Sequence, residues 1–109
     1  MSATDQLPIE EIERPQDQGE LVQCVQTCYQ QGLAMYPLGG ETALGFGLMP
    51  QDQGIGVSLN GVNRVVDFPA RDLTVTVEAG LTLASLSSTL AEEGLCLPVH
   101  VPEATTATV

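Results

Sequence analysis

The chain has 109 residues, 43% of them apolar, which is enough for one small domain with a hydrophobic core. Its formal net charge is -11, and its only cationic side chains are Arg14, Arg64 and Arg71, with no lysine. Nucleic-acid binding requires clustered basic residues, so this composition excludes nucleic acids as partners, and it disfavours anionic membrane surfaces for the same reason.

The hydropathy pattern predicts no membrane insertion, because no apolar run reaches about 18 residues. The acidic N-terminus lacks the apolar stretch of a secretory signal, which favours a cytoplasmic protein. Three cysteines, Cys24, Cys28 and Cys96, are an odd number, as expected for reduced thiols rather than a disulfide framework.

Residues 1–13 are polar and acidic, and we interpret them as a flexible lead that becomes ordered near Ile12. Its glutamates form a charge run, and such runs usually stay in water. The domain proper is therefore expected to span residues 14–109.

A helix is predicted from about Asp17 to Gln31, with Gly32 as its left-handed stop. One apolar stripe follows the helical repeat, formed by Leu21, Cys24, Val25, Cys28 and Tyr29. Two cysteines on one face raise the alternative of a metal site. Zinc needs about four ligands, and only Cys96 and His100 remain as soft candidates, so we expect packed thiols and no metal.

The segment Tyr36–Gly47, YPLGGETALGFG, is the most informative part of the chain. It follows a predicted strand, Ala34–Leu38, and contains four glycines. Glycines reach positive φ and let a ligand approach the backbone, so successive amides can form an anion-binding nest, with the Thr42 hydroxyl as a further donor. The alternative is a tight glycine turn without a ligand.

Three short strands and a second helix complete the pattern. The strands are predicted at Gly56–Leu59, Arg64–Phe68 and Leu73–Ala79, the last two as a hairpin. In Leu73–Ala79 apolar and polar residues alternate strictly, as in a half-buried strand. A helix is predicted at Leu83–Glu93, with Thr82 as N-cap and Gly94 as its stop.

The last part of the chain, Leu95–Val101, is expected to be extended between prolines. His100 lies between two valines, which is more typical of a partly buried, hydrogen-bonded residue than of a catalyst. The chain ends in ATTATV in mid-pattern, from which we expect a truncated domain. The predicted fold class is α+β, with a small mixed sheet flanked by two helices.

Three blocks together resemble one family: YPLGGETALGFG, NRVVDFPARDLTVTVEAGLTLASLSSTLAEEG and LPVHVPEATTATV. They are similar to the N-terminal part of the FAD-binding domain of the vanillyl-alcohol oxidase/p-cresol methylhydroxylase (PCMH) type, and most similar to the FAD-binding subunit of bacterial glycolate oxidase. The resemblance covers residues 14–109. No dinucleotide-binding G-x-G-x-x-G after a strand and no P-loop competes with it.

The resemblance implies a set of FAD-binding residues. The glycine loop would wrap the pyrophosphate with Leu38, Gly39, Gly40, Glu41, Thr42 and Ala43. Pro102 and Thr108 match the start of a family segment, Ala-Thr-x-Gly-Gly, whose glycines would follow Val109. Some relatives carry a flavin-linked histidine where this chain has Glu41, so the implied FAD is non-covalent. Where the family often has aspartate, this chain has His100.

The activity implied by the resemblance is a flavin-dependent oxidation of glycolate or another 2-hydroxy acid, by hydride transfer to the flavin. No catalytic residue is identified here, and the chain alone is expected to be inactive. Its expected partners are the rest of its own domain, a substrate domain and other oxidase subunits, including an iron–sulfur subunit. Two alternatives remain open: a truncated remnant or association module without ligand, and a stand-alone acidic domain.

Overall fold

The computed structural model describes residues 3–109. Its helices and strands follow one another along the chain as α1 (Ala3–Gln6), β1 (Ile9–Glu13), α2 (Gln18–Gln31), β2 (Ala34–Leu38), β3 (Gly54–Ser58), β4 (Val65–Asp67), β5 (Thr76–Val77) and α3 (Leu83–Glu92). A single 3-10 turn, Ala70–Asp72, lies between β4 and β5. No helix among these residues is long and apolar enough to cross a membrane.

A three-stranded parallel sheet in the order β1-β3-β2 forms the first half of the fold. Every residue of the central strand β3 is buried. Since parallel strands point the same way, the segments that follow β2 and β3 leave the sheet at one edge. The amide of Leu59 donates to the carbonyl oxygen of Leu38 at 2.8 Å, which joins the starts of these two segments.

Strand β1 differs from the expected flexible lead, because residues 9–13 pair in parallel with β3. The physical reason is packing across the sheet. Gly56 of β3 has no side chain, and Ile9 and Ile12 of β1 approach the space that a Cβ there would fill. The glutamates between and beside them are exposed, as the charge run predicted. The packing of Ile9 and Ile12 against Gly56 thus places residues 9–13 in the sheet beside β3.

Helix α2 was predicted from about Asp17 to Gln31 and is observed at Gln18–Gln31. The side chain of Asp17 accepts a hydrogen bond from the amide of Glu20 at 2.8 Å, and Gly32 takes φ 65°. The apolar stripe is only partly correct, since Cys28 is buried but Tyr29 is 83% exposed. No group of three or more metal-ligating side chains occurs among residues 3–109.

The predicted hairpin is confirmed, with shorter strands than expected: β4 and β5 pair antiparallel, and β5 has two residues. Leu73, predicted to begin the strand, instead ends the 3-10 turn in a left-handed conformation, φ 57°, and is 74% exposed. A residue in that conformation interrupts the extended backbone that alternation requires.

Helix α3 covers the hairpin, and its Leu86 and Leu90 form a core with Leu81. Five partly buried side chains pack against that core: Phe68, Val75, Val77, Leu83 and Leu95. The α+β class is confirmed, and its strands divide into one parallel and one antiparallel sheet.

Candidate functional site

An open cleft of about 510 Å³ lies at the sheet edge where β2 and β3 end. Four segments meet there: the start of the glycine loop, the turn after β3, the entrance to α3 and the C-terminal segment. The lining residues are Gly39, Gly40, Glu41, Asn60, Asn63, Gly80, Leu81, Thr82, Ser85, Thr105 and Thr106.

The glycine loop is shaped by close packing. A Cβ at Gly40 would overlap the carbonyl oxygen of Thr106, and one at Gly39 would overlap the hydroxyl of Thr108. Neither glycine has positive φ; within Tyr36–Gly47 the residues with positive φ are Glu41, at 58°, and Gly47, at 87°. Gly39 and Gly40 therefore bring the loop against the C-terminal segment, and the positive φ expected of them is found at the next residue.

Three consecutive amides of this loop have no hydrogen-bond acceptor within residues 3–109. Among the described residues, the N–H groups of Gly40, Glu41 and Thr42 donate to no backbone or side-chain atom. A left-handed residue within such a run is a feature of backbone nests that bind anions. The loop thus offers unused donors beside the cleft without any cationic side chain.

The helix N-terminus on the facing wall is already occupied. The amides of Leu83 and Ala84 donate to the carbonyl oxygens of Ala107 and Ala104, both at 2.9 Å, and the amide of Ser85 donates to Thr82 Oγ1 at 3.2 Å. The first donors of α3 consequently hold the C-terminal segment in place. Anion binding by the helix end, which free donors would allow, is not available here.

The turn after β3 forms the third wall. The carboxamide of Asn63 donates to the carbonyl oxygen of Asn60 at 2.8 Å, and the amide of Gly80 donates to that of Val62 at 2.8 Å. A Cβ at Gly80 would overlap the carbonyl oxygen of Leu59, so only glycine allows this approach. The hydrogen bond from Gly80 therefore fixes the turn after β3 to the segment that leads from β5 into α3.

An ion pair next to the cleft involves Arg64. Its Nη2 donates to Glu78 Oε1 at 2.8 Å, and its backbone amide donates to Glu78 Oε2 at 2.7 Å. These hydrogen bonds lower the pKa of the Glu78 carboxyl, and the same partner raises the pKa of Arg64. The guanidinium is thus engaged by a carboxylate, and no lysine or arginine lines the cleft.

The donors present suit the pyrophosphate of FAD. Backbone amides of the loop, hydroxyls of Ser85 and Thr106, and the carboxamides of Asn60 and Asn63 are neutral groups around a cleft with room for a diphosphate. Phosphate oxygens accept hydrogen bonds from such groups, and glycines let the ligand approach the chain closely. The residues present therefore fit a diphosphate held by hydrogen bonds.

The cleft contains part of the predicted site. Gly39, Gly40 and Glu41 line it, and Thr108 lies against Gly39. Leu38 is buried in β2 beneath the loop. The remaining predicted residues, Thr42, Ala43 and Pro102, are exposed and outside the lining. The role of all eight in cofactor binding stays a prediction.

Several lining residues were not predicted as site residues: Asn60, Asn63, Gly80, Leu81, Thr82, Ser85, Thr105 and Thr106. Two local signals were available. The Asn60-Gly61 turn and the Thr82 N-cap were both recognised, but nothing in the linear sequence places them beside the glycine loop. Their position follows from the parallel pairing of β2 with β3 and from the hydrogen bond between the Gly80 amide and the Val62 carbonyl oxygen.

His100 differs from expectation, because it is exposed rather than partly buried. Proline residues on both sides keep Pro98–Pro102 out of regular secondary structure, along the surface beside α3. His100 borders a separate cavity of about 220 Å³ and does not line the cleft.

Comparisons with known proteins identify several relatives of this chain. D-2-hydroxyglutarate dehydrogenase of Xanthomonas citri pv. viticola is 38% identical over 69 residues, covering 63% of this chain and 15% of the relative. A probable mitochondrial D-lactate dehydrogenase of Danio rerio is 35% identical over 85 residues, covering 78% and 17%. UDP-N-acetylenolpyruvoylglucosamine reductase of Trichlorobacter lovleyi is 35% identical over 91 residues, covering 81% and 28%.

The chain thus spans less than a third of the length of these relatives. Among solved structures, an alkyldihydroxyacetonephosphate synthase superposes with a TM-score of 0.75 at 19% identity, covering 89% of this chain and 20% of its own. That likeness shows the fold. The sequence matches the family described as FAD binding domain over residues 10–109, and the chain therefore belongs to that family.

Proposed function

We propose that the cleft binds the pyrophosphate of non-covalent FAD, through the amides of Gly40 and Glu41 on one wall, the neighbouring amide of Thr42, and polar side chains on the other walls. The observation that carries this proposal is the run of three unused amides beside a cleft without cations. With 14 acidic against three basic residues, the chain has few cations for phosphate pairing. Backbone donors bind an anion without them.

We propose further that the cofactor serves the oxidation of a 2-hydroxy acid, with glycolate as the candidate from the sequence resemblance. The names of two relatives, D-2-hydroxyglutarate dehydrogenase and D-lactate dehydrogenase, support this substrate class. Bound FAD would supply the hydride acceptor. The residues of this chain would bind and orient the cofactor, and none of them is assigned as a base for the substrate hydroxyl.

The proposal includes partners. A further FAD-binding segment and a substrate domain are proposed because the relatives are several times longer than this chain. Association with other oxidase subunits, one of them an iron–sulfur protein, is proposed from the sequence resemblance alone. A cytoplasmic location is also proposed, in keeping with three cysteines that are expected to be reduced.

Affinity for FAD in the 109-residue chain tests the proposal. Equilibrium dialysis is expected to give a dissociation constant weaker than about 1 µM, since the further FAD-binding segment proposed above would supply the other side of the site. Gly40→Val is expected to abolish binding, because its side chain would displace Thr106 from the cleft. Gly45→Val is the matched control, since a Cβ at Gly45 meets nothing within 4 Å. Equal FAD binding by the wild type and Gly40→Val would contradict the proposed site.

A second candidate function, association without ligand, is supported by apolar side chains left in solvent. Phe46 is 84% exposed and Leu48 99% exposed, both in the loop that follows the cleft residues. Sedimentation of the chain with and without FAD distinguishes the two candidates. A stable oligomer that binds no FAD would favour association, and a monomer that binds FAD would favour the cofactor role.

A further inference from the structure

Glu41 combines two features that single it out within the cleft. Its backbone is left-handed, φ 58°, a conformation that is unfavourable for residues with a Cβ. Its side chain Oε1 accepts a hydrogen bond from the backbone amide of Ala3 at 2.9 Å, across 38 positions of sequence. The residue between Gly40 and Thr42 is therefore tied to the beginning of the chain.

The segment that provides this contact is itself fixed. Ala3 is fully buried. The amide of Leu7 donates to the carbonyl oxygen of Ala3 at 2.8 Å, and the amide of Gly54 donates to that of Pro8 at 3.0 Å. The bond from Ala3 to Glu41 thus connects the glycine loop, through α1, to the first residue of the central strand.

We propose that Glu41 is a positioning residue, and that its bond to Ala3 holds the left-handed turn which directs the amides of Gly40–Thr42 toward the cleft. The expected effect of this positioning, tighter binding of a diphosphate, rests on the proposed function. The positioning itself, a loop held in place by the N-terminal segment, concerns the ligand-free chain alone. The same bond engages one oxygen of the Glu41 carboxylate, the charged group among the side chains that line the cleft.

Variants of each partner separate the bond from its alternatives. Glu41→Gln keeps an oxygen acceptor, whereas Glu41→Gly keeps the left-handed backbone but removes the acceptor. Ala3→Pro removes the donor at the first residue of α1. Because Ala3 is fully buried, urea unfolding of this variant checks that the added ring leaves the fold intact. The double variant Ala3→Pro/Glu41→Gly tests whether both changes act through one contact, because the effects of two partners in a single bond do not add.

The first readout is the ligand-free chain, by amide hydrogen exchange and ¹⁵N relaxation. Loss of the bond is expected to change the relaxation of Gly40–Thr42 in Glu41→Gly and Ala3→Pro, and to speed the exchange of the Ala3 amide in Glu41→Gly, with Glu41→Gln close to the wild type. The second readout is a titration with ADP. We expect affinity to fall about fivefold in each single variant, the effect of one hydrogen bond, and no further in the double variant.

Two results bear on different claims. If Glu41→Gly and Ala3→Pro leave loop relaxation as in the wild type, the positioning role is wrong, whatever the chain binds. If those variants loosen the loop but the wild type shows no response to ADP at millimolar concentration, the positioning role stands and the proposed cofactor site is wrong.

Discussion

The amide of Leu83 donates to the carbonyl oxygen of Ala107 at 2.9 Å, so the first turn of α3 binds the last residues of the chain. The amide of Ala84 donates to the carbonyl oxygen of Ala104, and the amide of Val109 donates to that of Leu81. The cleft therefore has a fixed wall on this side. Substitutions that disturb the wall are expected to act on both stability and ligand binding.

Gly40→Ala tests the contact between that wall and the glycine loop. The new methyl group would overlap the carbonyl oxygen of Thr106, and we expect a loss of about 1–3 kcal/mol in the free energy of unfolding. Gly45→Ala, in open space, is expected to change it by no more than about 1 kcal/mol. Urea unfolding followed by circular dichroism measures both. Equal stabilities of the two variants would show that the loop does not pack as described.

Thr82→Ala tests the cap of α3. The Thr82 hydroxyl accepts the Ser85 amide at 3.2 Å and donates to Ser85 Oγ at 2.8 Å, so its removal is expected to cost about 1 kcal/mol. Thr82→Ser retains the acceptor and is expected to recover most of the loss. The Ser88→Ala variant, further along the helix, serves as the control. A thermal melt in which Thr82→Ala and Thr82→Ser coincide would argue against the cap.

The Arg64–Glu78 pair predicts a dependence of stability on pH. The pKa of Glu78 is lowered in the folded chain by hydrogen bonds from Arg64, so its contribution to stability is present above the usual carboxyl pKa of 4.5. That contribution is lost as the pH falls through the lower, folded value. Glu78→Gln is expected to flatten this part of the pH profile of unfolding. Glu10→Gln removes an equal charge elsewhere and serves as the control. If it flattens the pH profile of unfolding as much as Glu78→Gln does, the pH dependence does not arise from the Arg64–Glu78 pair.

Leu73 carries a cost that substitution can remove. Its φ of 57° is unfavourable for leucine, and its side chain is largely in solvent. Leu73→Gly is expected to raise the free energy of unfolding by about 1 kcal/mol, whereas Leu73→Ala, which keeps the left-handed penalty, is not. Differential scanning calorimetry measures the comparison. A lower transition temperature for Leu73→Gly than for Leu73→Ala would be the contrary result.

Local signals were sufficient for the parts of the fold that local interactions determine. The apolar stripe and Gly32 placed α2, Thr82 and Gly94 placed α3, and β2 was predicted with its observed bounds. Strand β1 was missed because its pairing partner, β3, is about 40 residues away. Alternation from Leu73 to Ala79 predicted too long a strand, because a left-handed residue leaves no trace in a hydrophobic pattern.

The candidate site likewise contains residues that local sequence reveals and residues that only the tertiary structure brings together. The glycine loop was found because glycines in a short segment are visible in sequence. Asn60, Asn63 and Thr106 were not, since they reach the cleft through sheet topology and through the packing of the C-terminal segment. The sequence also did not show why positions 39 and 40 must be glycine. The atoms that leave no room for a Cβ there belong to Thr108 and Thr106, more than 60 positions away.

The central claim is that the unused amides of Gly40, Glu41 and Thr42 bind a diphosphate. The most direct test is an amide-resolved NMR titration of the 109-residue chain with inorganic pyrophosphate and with FAD. We predict that both ligands shift these three amide signals together, while those of Leu83 and Ala84, already bonded to the C-terminal segment, move little. Shifts confined to other residues, or none with either ligand, would contradict the account.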